Sequence, residues 1–284
     1  MRGDAASRIE DAGRGAAHAA ALPKDRLPRK PAPGSMATML RQALAPVIDL
    51  VYPPRCPLCG GALASQDGLC AACWGELAIP GEPACASCQR PFGEGIPDGA
   101  ICAPCLADPP RHDGIAAATL YNDASRKLVL AFKHGRRIAL ARLLAGLVAA
   151  RLTALEGEWL AVPVPRHRRR LWQRGFNQSA LLAGELCKRT GAKLLVDGLV
   201  RRKPTPALGG LGKKARARVM SGAIAVNPAR AARLKGARVL LVDDVMTSGA
   251  TGNACVSALK RGGAEKVVVA CFARVLDEAL DHAG

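Results

Sequence analysis

One stretch near the C-terminus constrains the fold more than any other part of the chain. It begins with four apolar residues, Val239–Val242, which are β-branched at both ends and predict a short strand buried on both faces. Two adjacent carboxylates, Asp243 and Asp244, follow the strand, and a small, hydroxyl-rich run then leads into a predicted helix over 250–260. A strand, a tight loop and a helix N-terminus in this order form a phosphate cradle, because backbone N–H groups point at the anion.

The two carboxylates come one step before this cradle, at the strand end where α/β sheets bind their ligands. They are therefore placed to reach the hydroxyls of a sugar whose phosphate lies in the loop. The stretch is not a Walker A loop, since the nearest glycine-rich run, 209–214, lacks both the Ser/Thr and the preceding strand. An ordinary buried strand and turn is the alternative interpretation, although two adjacent acidic residues are unusual there.

Residues 239–251 resemble the phosphoribosyl-diphosphate (PRPP) signature of type I phosphoribosyltransferases. The resemblance implies an α/β domain with a mostly parallel central sheet. It implies that Asp243 and Asp244 face the ribose 2- and 3-hydroxyls, with Mg²⁺ bridging ribose hydroxyls and diphosphate. The residues that it implies for the 5-phosphate are Thr247, Ser248, Gly249, Ala250 and Thr251.

The cysteines form a second strong pattern, because eight of the 11 occur in four C-x-x-C pairs. Each pair can supply two thiolates to one tetrahedral metal ion, and the spacing between pairs suits ribbon hairpins. Pairing in sequence order predicts two structural zinc sites, while cross-braced pairing and disulfides are the alternatives. The first predicted site is Cys56, Cys59, Cys70 and Cys73, and the second is Cys85, Cys88, Cys102 and Cys105.

The charge of the chain indicates an anionic partner. The formal net charge is +18, and the segment 166–218 accounts for +13 of it, with 15 Lys and Arg residues and two acidic residues. Such a balance suits nucleic acid, phosphates or diphosphate, and simple solubility is the alternative. Neither a signal peptide nor an apolar run long enough to span a membrane is evident, so we expect no membrane insertion and a cytoplasmic location.

Within this basic segment, arginines alternate with aromatic residues. Arg168, Arg169 and Arg170 precede Trp172, and Phe176 follows. This pattern suits single-stranded DNA, with phosphates on the arginines and a base stacked on Trp172, or a lid over an anionic substrate. The alternative is that both aromatic residues are core anchors for the helix predicted over 177–190.

A smaller cationic run ends the helix predicted over 124–133. It contains Lys133, Arg136 and Arg137 around a glycine and can wrap a diphosphate. The alternative is a solvated helix C-terminus, where cations are favoured in any case.

The domain prediction has four parts. Residues 1–35 are expected to be disordered, 36–110 to hold a short helix over 40–51 and the double zinc ribbon, 111–276 to form the phosphoribosyltransferase-like domain, and 277–284 to be a tail. Met36 is a candidate for the true start. A further helix is predicted over 138–155, and the strands are predicted over 115–121, 159–164, 238–242 and 266–272.

Several motifs together resemble the ComF family: Tyr121, Lys133, Pro163–Pro165, Arg174–Gln178 and the 239–251 stretch, with the cysteine-rich module before them. The family implies a double zinc ribbon joined to a phosphoribosyltransferase domain, and a link to natural transformation and incoming single-stranded DNA. Proteins of the competence machinery are then possible partners. The implied reaction is displacement at the sugar C1, with Asp243, Asp244 and Lys133 as catalytic residues, and Arg136 and Arg174 balancing the leaving diphosphate.

One segment departs from the family pattern. Leu208 stands where glutamine is usual, and Val219 stands where asparagine is usual, so two hydrogen-bonding side chains are replaced by apolar ones. The second hypothesis is therefore a catalytically silent nucleic-acid-binding protein that keeps the PRPP fold as a sensor or a scaffold.

Overall fold

The computed structural model describes residues 53–66, 68–134, 139–152, 155–166, 175–203, 213–247 and 249–276. These residues belong to one compact unit, Tyr52–Gly284. The predicted disordered extension, the helix predicted over 40–51 and the predicted tail lie outside the described residues. The boundary near residue 110 between zinc ribbon and second domain stays a prediction.

A parallel five-stranded sheet forms the centre of the fold. The strands, in chain order, are β1 (Gly114–Leu120), β2 (Trp159–Pro163), β3 (Lys193–Leu194), β4 (Leu199–Arg201), β5 (Ile224–Val226), β6 (Arg238–Met246) and β7 (Lys266–Arg274). The sheet has the order β1-β7-β6-β2-β3, and every pairing in it is parallel. β6 is the middle strand, with Val239 opposite Leu160 of β2 and Val267 of β7. The predicted α/β class with a mostly parallel sheet is confirmed.

Helices cover both faces of this sheet. They are α1 (Ala71–Gly75), α2 (Ala103–Ala107), α3 (Asp123–His134), α4 (Leu140–Ala149), α5 (Gln178–Thr190), α6 (Lys213–Met220), α7 (Ala231–Leu234) and α8 (Ala250–Arg261). On one face, Leu240 packs with Phe132 of α3, Leu144 of α4 and Leu182 of α5. On the other face, Leu241 packs with Leu259 of α8. β6 is thus buried on both sides, as expected for a central parallel strand.

Two features of β6 and its neighbours differ from the sequence prediction. β6 continues to Met246, so Asp243 and Asp244 lie within the strand and not in the loop after it. Pairing with β7 extends the strand, since Asp243 is opposite Cys271 and Met246 is opposite Arg274. The helix predicted over 138–155 is shorter, Leu140–Ala149.

A small antiparallel sheet of β4 and β5 lies outside the main sheet. Together with α6 it forms the segment that we call the hood, residues 199–226, of which 204–212 lie outside the described part. Ile224 of β5 and Met220 of α6 join the core beside α8. The short strands of the hood carry too few residues to show a periodic pattern, so sequence analysis did not predict them.

The cysteine-rich module packs against the edge of the main sheet. Leu77 is buried in the same core cluster as residues of α3 and α4, and Leu58 and Leu69 pack against that cluster. The carbonyl of Ala78 accepts hydrogen bonds from the Leu120 N–H, at 2.7 Å, and from Thr119 Oγ1, at 2.9 Å. These contacts cover the end of β1, an edge strand. In the described part of the chain, no helix has the length and apolar character needed to cross a membrane.

Candidate functional site

The eight cysteines of the C-x-x-C pairs form two clusters that follow sequence order. Within each cluster the four Sγ atoms lie within 4.8 Å of one another, and none of the 11 cysteines is in a disulfide. The sequential pairing is therefore confirmed, and the cross-braced pairing is excluded. The first cluster is Cys56, Cys59, Cys70 and Cys73, and the second is Cys85, Cys88, Cys102 and Cys105.

The geometry of both clusters fits a tetrahedral zinc ion. Zinc–sulfur bonds of about 2.3 Å place tetrahedral sulfur atoms ~3.8 Å apart. Cys59 and Cys70 have Sγ atoms 3.6 Å apart, as do Cys88 and Cys102. The Cys102 N–H donates to Cys85 Sγ, a contact that favours the thiolate form. Four thiolates at these spacings would hold a structural Zn²⁺, which would supply folding energy to the module.

Asp243 is the first carboxylate at the carboxyl end of β6. Its Oδ1 accepts hydrogen bonds from Ser179 Oγ, at 3.0 Å, and from the Asp244 N–H, at 2.9 Å. Burial at the end of the sheet, together with the neighbouring Asp244 carboxylate, raises the pKa of Asp243 to about 7. Sequence analysis did not predict the role of Ser179, because it is 64 positions from Asp243 and no short motif joins them.

Asp244 lies among cations from two other elements. Its Oδ2 is 3.1 Å from Lys133 Nζ at the end of α3, and 3.8 Å from Arg166 Nη2 just after β2. The carboxylate is almost completely buried, whereas Lys133 is 23% exposed. The structure thus brings together three predicted residues, Lys133, Asp243 and Asp244, and adds Arg166 to them. Burial strengthens these charge interactions relative to water.

The predicted phosphate loop connects β6 with α8. Thr247 is exposed, and Gly249 occupies the N-cap of α8 with a φ of +71°. This left-handed backbone favours glycine, and a Cβ there would lie 3.3 Å from Met246 Cε. Ala250 and Thr251 form the first turn of α8, whose N-terminal N–H groups suit an anion. Ser248 lies outside the described residues.

A cavity of about 150 Å³ lies on one side of this loop. Its walls include Thr247 and Gly249 from the loop, and His112 and Arg274 from the module side and β7. Burial and the nearby Arg274 charge lower the pKa of His112 to about 4, so its imidazole is neutral near pH 7. The loop therefore borders this cavity, and it directly follows the end of β6 that carries the acidic pair.

The remaining predicted site residues lie largely outside the described part of the chain. They are the residues predicted to bind the diphosphate, Arg136 and Arg174, and those predicted to contact nucleic acid, Arg168, Arg169, Arg170 and Trp172. Phe176 is described and is half-buried before α5. Of the two departures from the family pattern, Val219 is half-buried on α6, and Leu208 lies outside.

Family models and relatives agree with this architecture. The model of a double zinc ribbon domain matches residues 47–106, and the model of a phosphoribosyl transferase domain matches residues 190–283. DNA utilization protein YhgH of Salmonella typhi is 33% identical over 235 residues, covering 80% of this chain and 100% of the relative. Competence protein F of Haemophilus influenzae is 30% identical over 227 residues, covering 78% of this chain and 96% of the relative.

Among solved structures, a glutamine PRPP amidotransferase from B. subtilis aligns with 50% of this chain and 30% of its own, at 19% identity and a TM-score of 0.34. The relatives, in contrast, align along nearly their whole length, and both family models fall on the modules that the structure describes. The chain belongs to the ComF family, in which a double zinc ribbon is joined to a phosphoribosyltransferase domain.

Proposed function

We propose that the chain binds PRPP together with Mg²⁺ at the carboxyl end of β6. The observation that carries this proposal is the convergence of Lys133, Asp243 and Asp244 beside a loop whose Gly249 opens the first turn of α8. An acidic pair for sugar hydroxyls, a cation for a diphosphate and a cradle for a phosphate are then adjacent. No single element supplies all three.

Each group has a distinct part in this proposal. The N-terminal N–H groups of α8 bind the 5-phosphate, because the helix dipole and unpaired donors both favour an anion. The carboxylates of Asp243 and Asp244 accept hydrogen bonds from the ribose hydroxyls. Lys133 faces Asp244 at 3.1 Å and offers its charge to the diphosphate. Mg²⁺, a hard cation that prefers oxygen ligands, would be held by hydroxyl and diphosphate oxygens and would neutralise their charge.

The reaction that fits such a site is transfer of the phosphoribosyl group by displacement at C1. The bond from C1 to the diphosphate oxygen breaks, the acceptor bonds to C1, and diphosphate leaves with the bonding electron pair. Positioning and charge stabilisation suffice for this chemistry, so a protein nucleophile is not needed. Lys133 and Arg166, which flank the acidic pair, would balance the charge that develops on the diphosphate.

Single-stranded DNA is the proposed second partner, and the observation that favours it is the charge of segment 166–218. Two relatives carry names that refer to DNA utilization and to competence. A chain of this kind would handle incoming DNA in the cytoplasm, and it would do so with or without phosphoribosyl transfer. The silent-scaffold hypothesis therefore remains the alternative to the enzyme.

Thermal denaturation with PRPP and MgCl₂ tests the binding proposal, because a ligand that binds only the folded state raises the melting temperature. We expect a shift in wild type that the double variant Asp243→Asn, Asp244→Asn loses. Asp113→Asn is the matched control, since that carboxylate pairs with Lys260 away from the site. A wild-type protein with no shift at millimolar PRPP contradicts the proposal. Diphosphate release in the presence of candidate acceptors then separates the enzyme from the silent scaffold.

A further inference from the structure

Three consecutive residues at the start of α5 contact three different parts of the candidate site. Asn177 Nδ2 donates to the Val164 carbonyl at the end of β2, at 3.2 Å. Gln178 Nε2 approaches the Lys133 carbonyl at the end of α3, at 3.5 Å. Ser179 Oγ donates to Asp243 Oδ1 on β6, at 3.0 Å. One helix turn thus connects the three elements that carry the proposed site.

These contacts are built into the interior of the protein. Gln178 is 0% exposed and Ser179 is 2% exposed, so both polar side chains were desolvated on folding. Asn177 also caps the helix, because its Oδ1 accepts from the Ser179 N–H at 3.2 Å. The Ser179 backbone is therefore fixed by the cap, and its hydroxyl is aimed at Asp243 by the helix itself.

From these contacts we propose that Ser179 is a positioning residue for Asp243, supported by Asn177 and Gln178, an inference that rests on the proposed function. Both hydrogen bonds to the Asp243 side chain, from Ser179 and from the Asp244 N–H, fall on Oδ1. Among the described residues, none falls on Oδ2. The carboxylate of Asp243 is thus held in one orientation, and its Oδ2 is available to accept from a sugar hydroxyl.

The hydroxyl of Ser179 also favours the charged form of the carboxyl group. A hydrogen bond donated to a carboxylate stabilises it relative to the neutral acid. The other charged or titratable groups around Asp243 come from four elements: Asp244 on β6, Lys133 on α3, Cys255 on α8 and Cys271 on β7. None of these side chains donates to Oδ1, so removal of the Ser179 hydroxyl leaves only the backbone N–H of Asp244 on that oxygen.

The test compares Ser179→Ala with Ser125→Ala in the full chain. Ser125 is a matched control, since it is also fully buried in the first turn of a helix, where it bonds Asn122 and not the site. The first readout is an NMR pH titration of ¹³C-labelled aspartate side chains without ligand, with Asp243→Asn used to assign the signal. We expect Asp243 in wild type to titrate near pH 7 and at higher pH in Ser179→Ala, with no change in Ser125→Ala. An unchanged titration in Ser179→Ala overturns the inference.

The second readout is calorimetric binding of PRPP with Mg²⁺ to the same proteins. We expect Ser179→Ala to bind about tenfold more weakly at pH 7, the effect of one charge-assisted hydrogen bond, and to approach wild type at pH 9 where the carboxyl group ionises again. A purely structural role for Ser179 would not give this recovery with pH, so equal weakening at both values also overturns the inference. If the NMR titration moves as expected but wild type binds no PRPP, the positioning of Asp243 stands and the proposed function fails.

Discussion

Replacing Asp243 with asparagine is expected to stabilise the free protein near neutral pH, although the residue lies in the proposed ligand site. Burial and the adjacent Asp244 carboxylate raise the pKa of Asp243 from 3.8 to about 7 in the folded state. Between these values the folded protein binds more protons than the unfolded chain, so the free energy of unfolding falls as the pH rises. An amide does not ionise, and the variant escapes this loss.

The interval between the two pKa values sets the size of the effect. At ~1.4 kcal/mol for each pH unit, it gives an upper limit of about 4 kcal/mol for the gain above pH 7. The gain should increase by about 2 kcal/mol between pH ~5.5 and ~8, because in most of that range Asp243 is ionised in the unfolded chain and neutral in the folded protein. The asparagine keeps an oxygen that accepts from Ser179 and from the Asp244 N–H, so the local hydrogen bonds need not be lost.

Urea unfolding of wild type and Asp243→Asn, followed by circular dichroism at both pH values, measures this difference. Asp113→Asn provides a control of opposite sign. Asp113 Oδ2 accepts from the Val267 N–H and pairs with Lys260 Nζ, each at 2.6 Å, so the control should lower the free energy of unfolding. If Asp243→Asn were less stable than wild type at pH 8, or if its gain did not change with pH, the described environment of Asp243 would be wrong.

Three further outcomes are expected. The purified protein should contain close to two zinc ions per chain by metal analysis, and Cys56→Ser should release one of them and unfold the first ribbon; zinc-free protein with folded ribbons would contradict this. Lys133→Met should lower the free energy of unfolding, measured in urea, by about 1–3 kcal/mol. This is less than the cost of breaking a fully buried ion pair, because Lys133 is partly exposed and Arg166 still faces Asp244. An unchanged stability would show that the pair of Lys133 and Asp244 contributes nothing. Single-stranded DNA should bind with a slope of about −2 to −4 in a plot of log binding constant against log salt concentration. Replacing Arg168, Arg169 and Arg170 with alanine should make this slope shallower by about two. A slope that the triple variant leaves unchanged would show that other residues make the phosphate contacts.

The sequence predicted those parts of the fold that local patterns determine. Apolar, β-branched runs predicted the central strands, as at Val239–Val242, and the spacing of the C-x-x-C pairs predicted how the cysteines group. Both depend on residues close together in the chain, where periodicity and ligand spacing carry the information. Asp243 and Asp244 were predicted as a pair for the same reason.

The contacts that complete the candidate site could not be predicted in this way. Ser179 and Asp243 are far apart in the chain, and they meet only because α5 packs beside β6. Arg166 approaches Asp244 because β2 and β6 are parallel neighbours whose carboxyl ends share one edge of the sheet. The extension of β6 through the acidic pair likewise depends on pairing with β7, a partner that no local pattern identifies.

A calorimetric titration of PRPP in the presence of Mg²⁺ tests the central proposal most directly. We expect wild type to bind PRPP at one site per chain and to give no heat of binding when Mg²⁺ is omitted. We expect Gly249→Val to lose binding. That variant would force a side chain onto a φ of +71° and against Met246, which distorts the first turn of α8 where the 5-phosphate is proposed to lie. Circular dichroism verifies that the variant is folded. Binding of PRPP to folded Gly249→Val with wild-type affinity, or no binding to wild type at millimolar ligand, would contradict a PRPP site at the 247–251 loop.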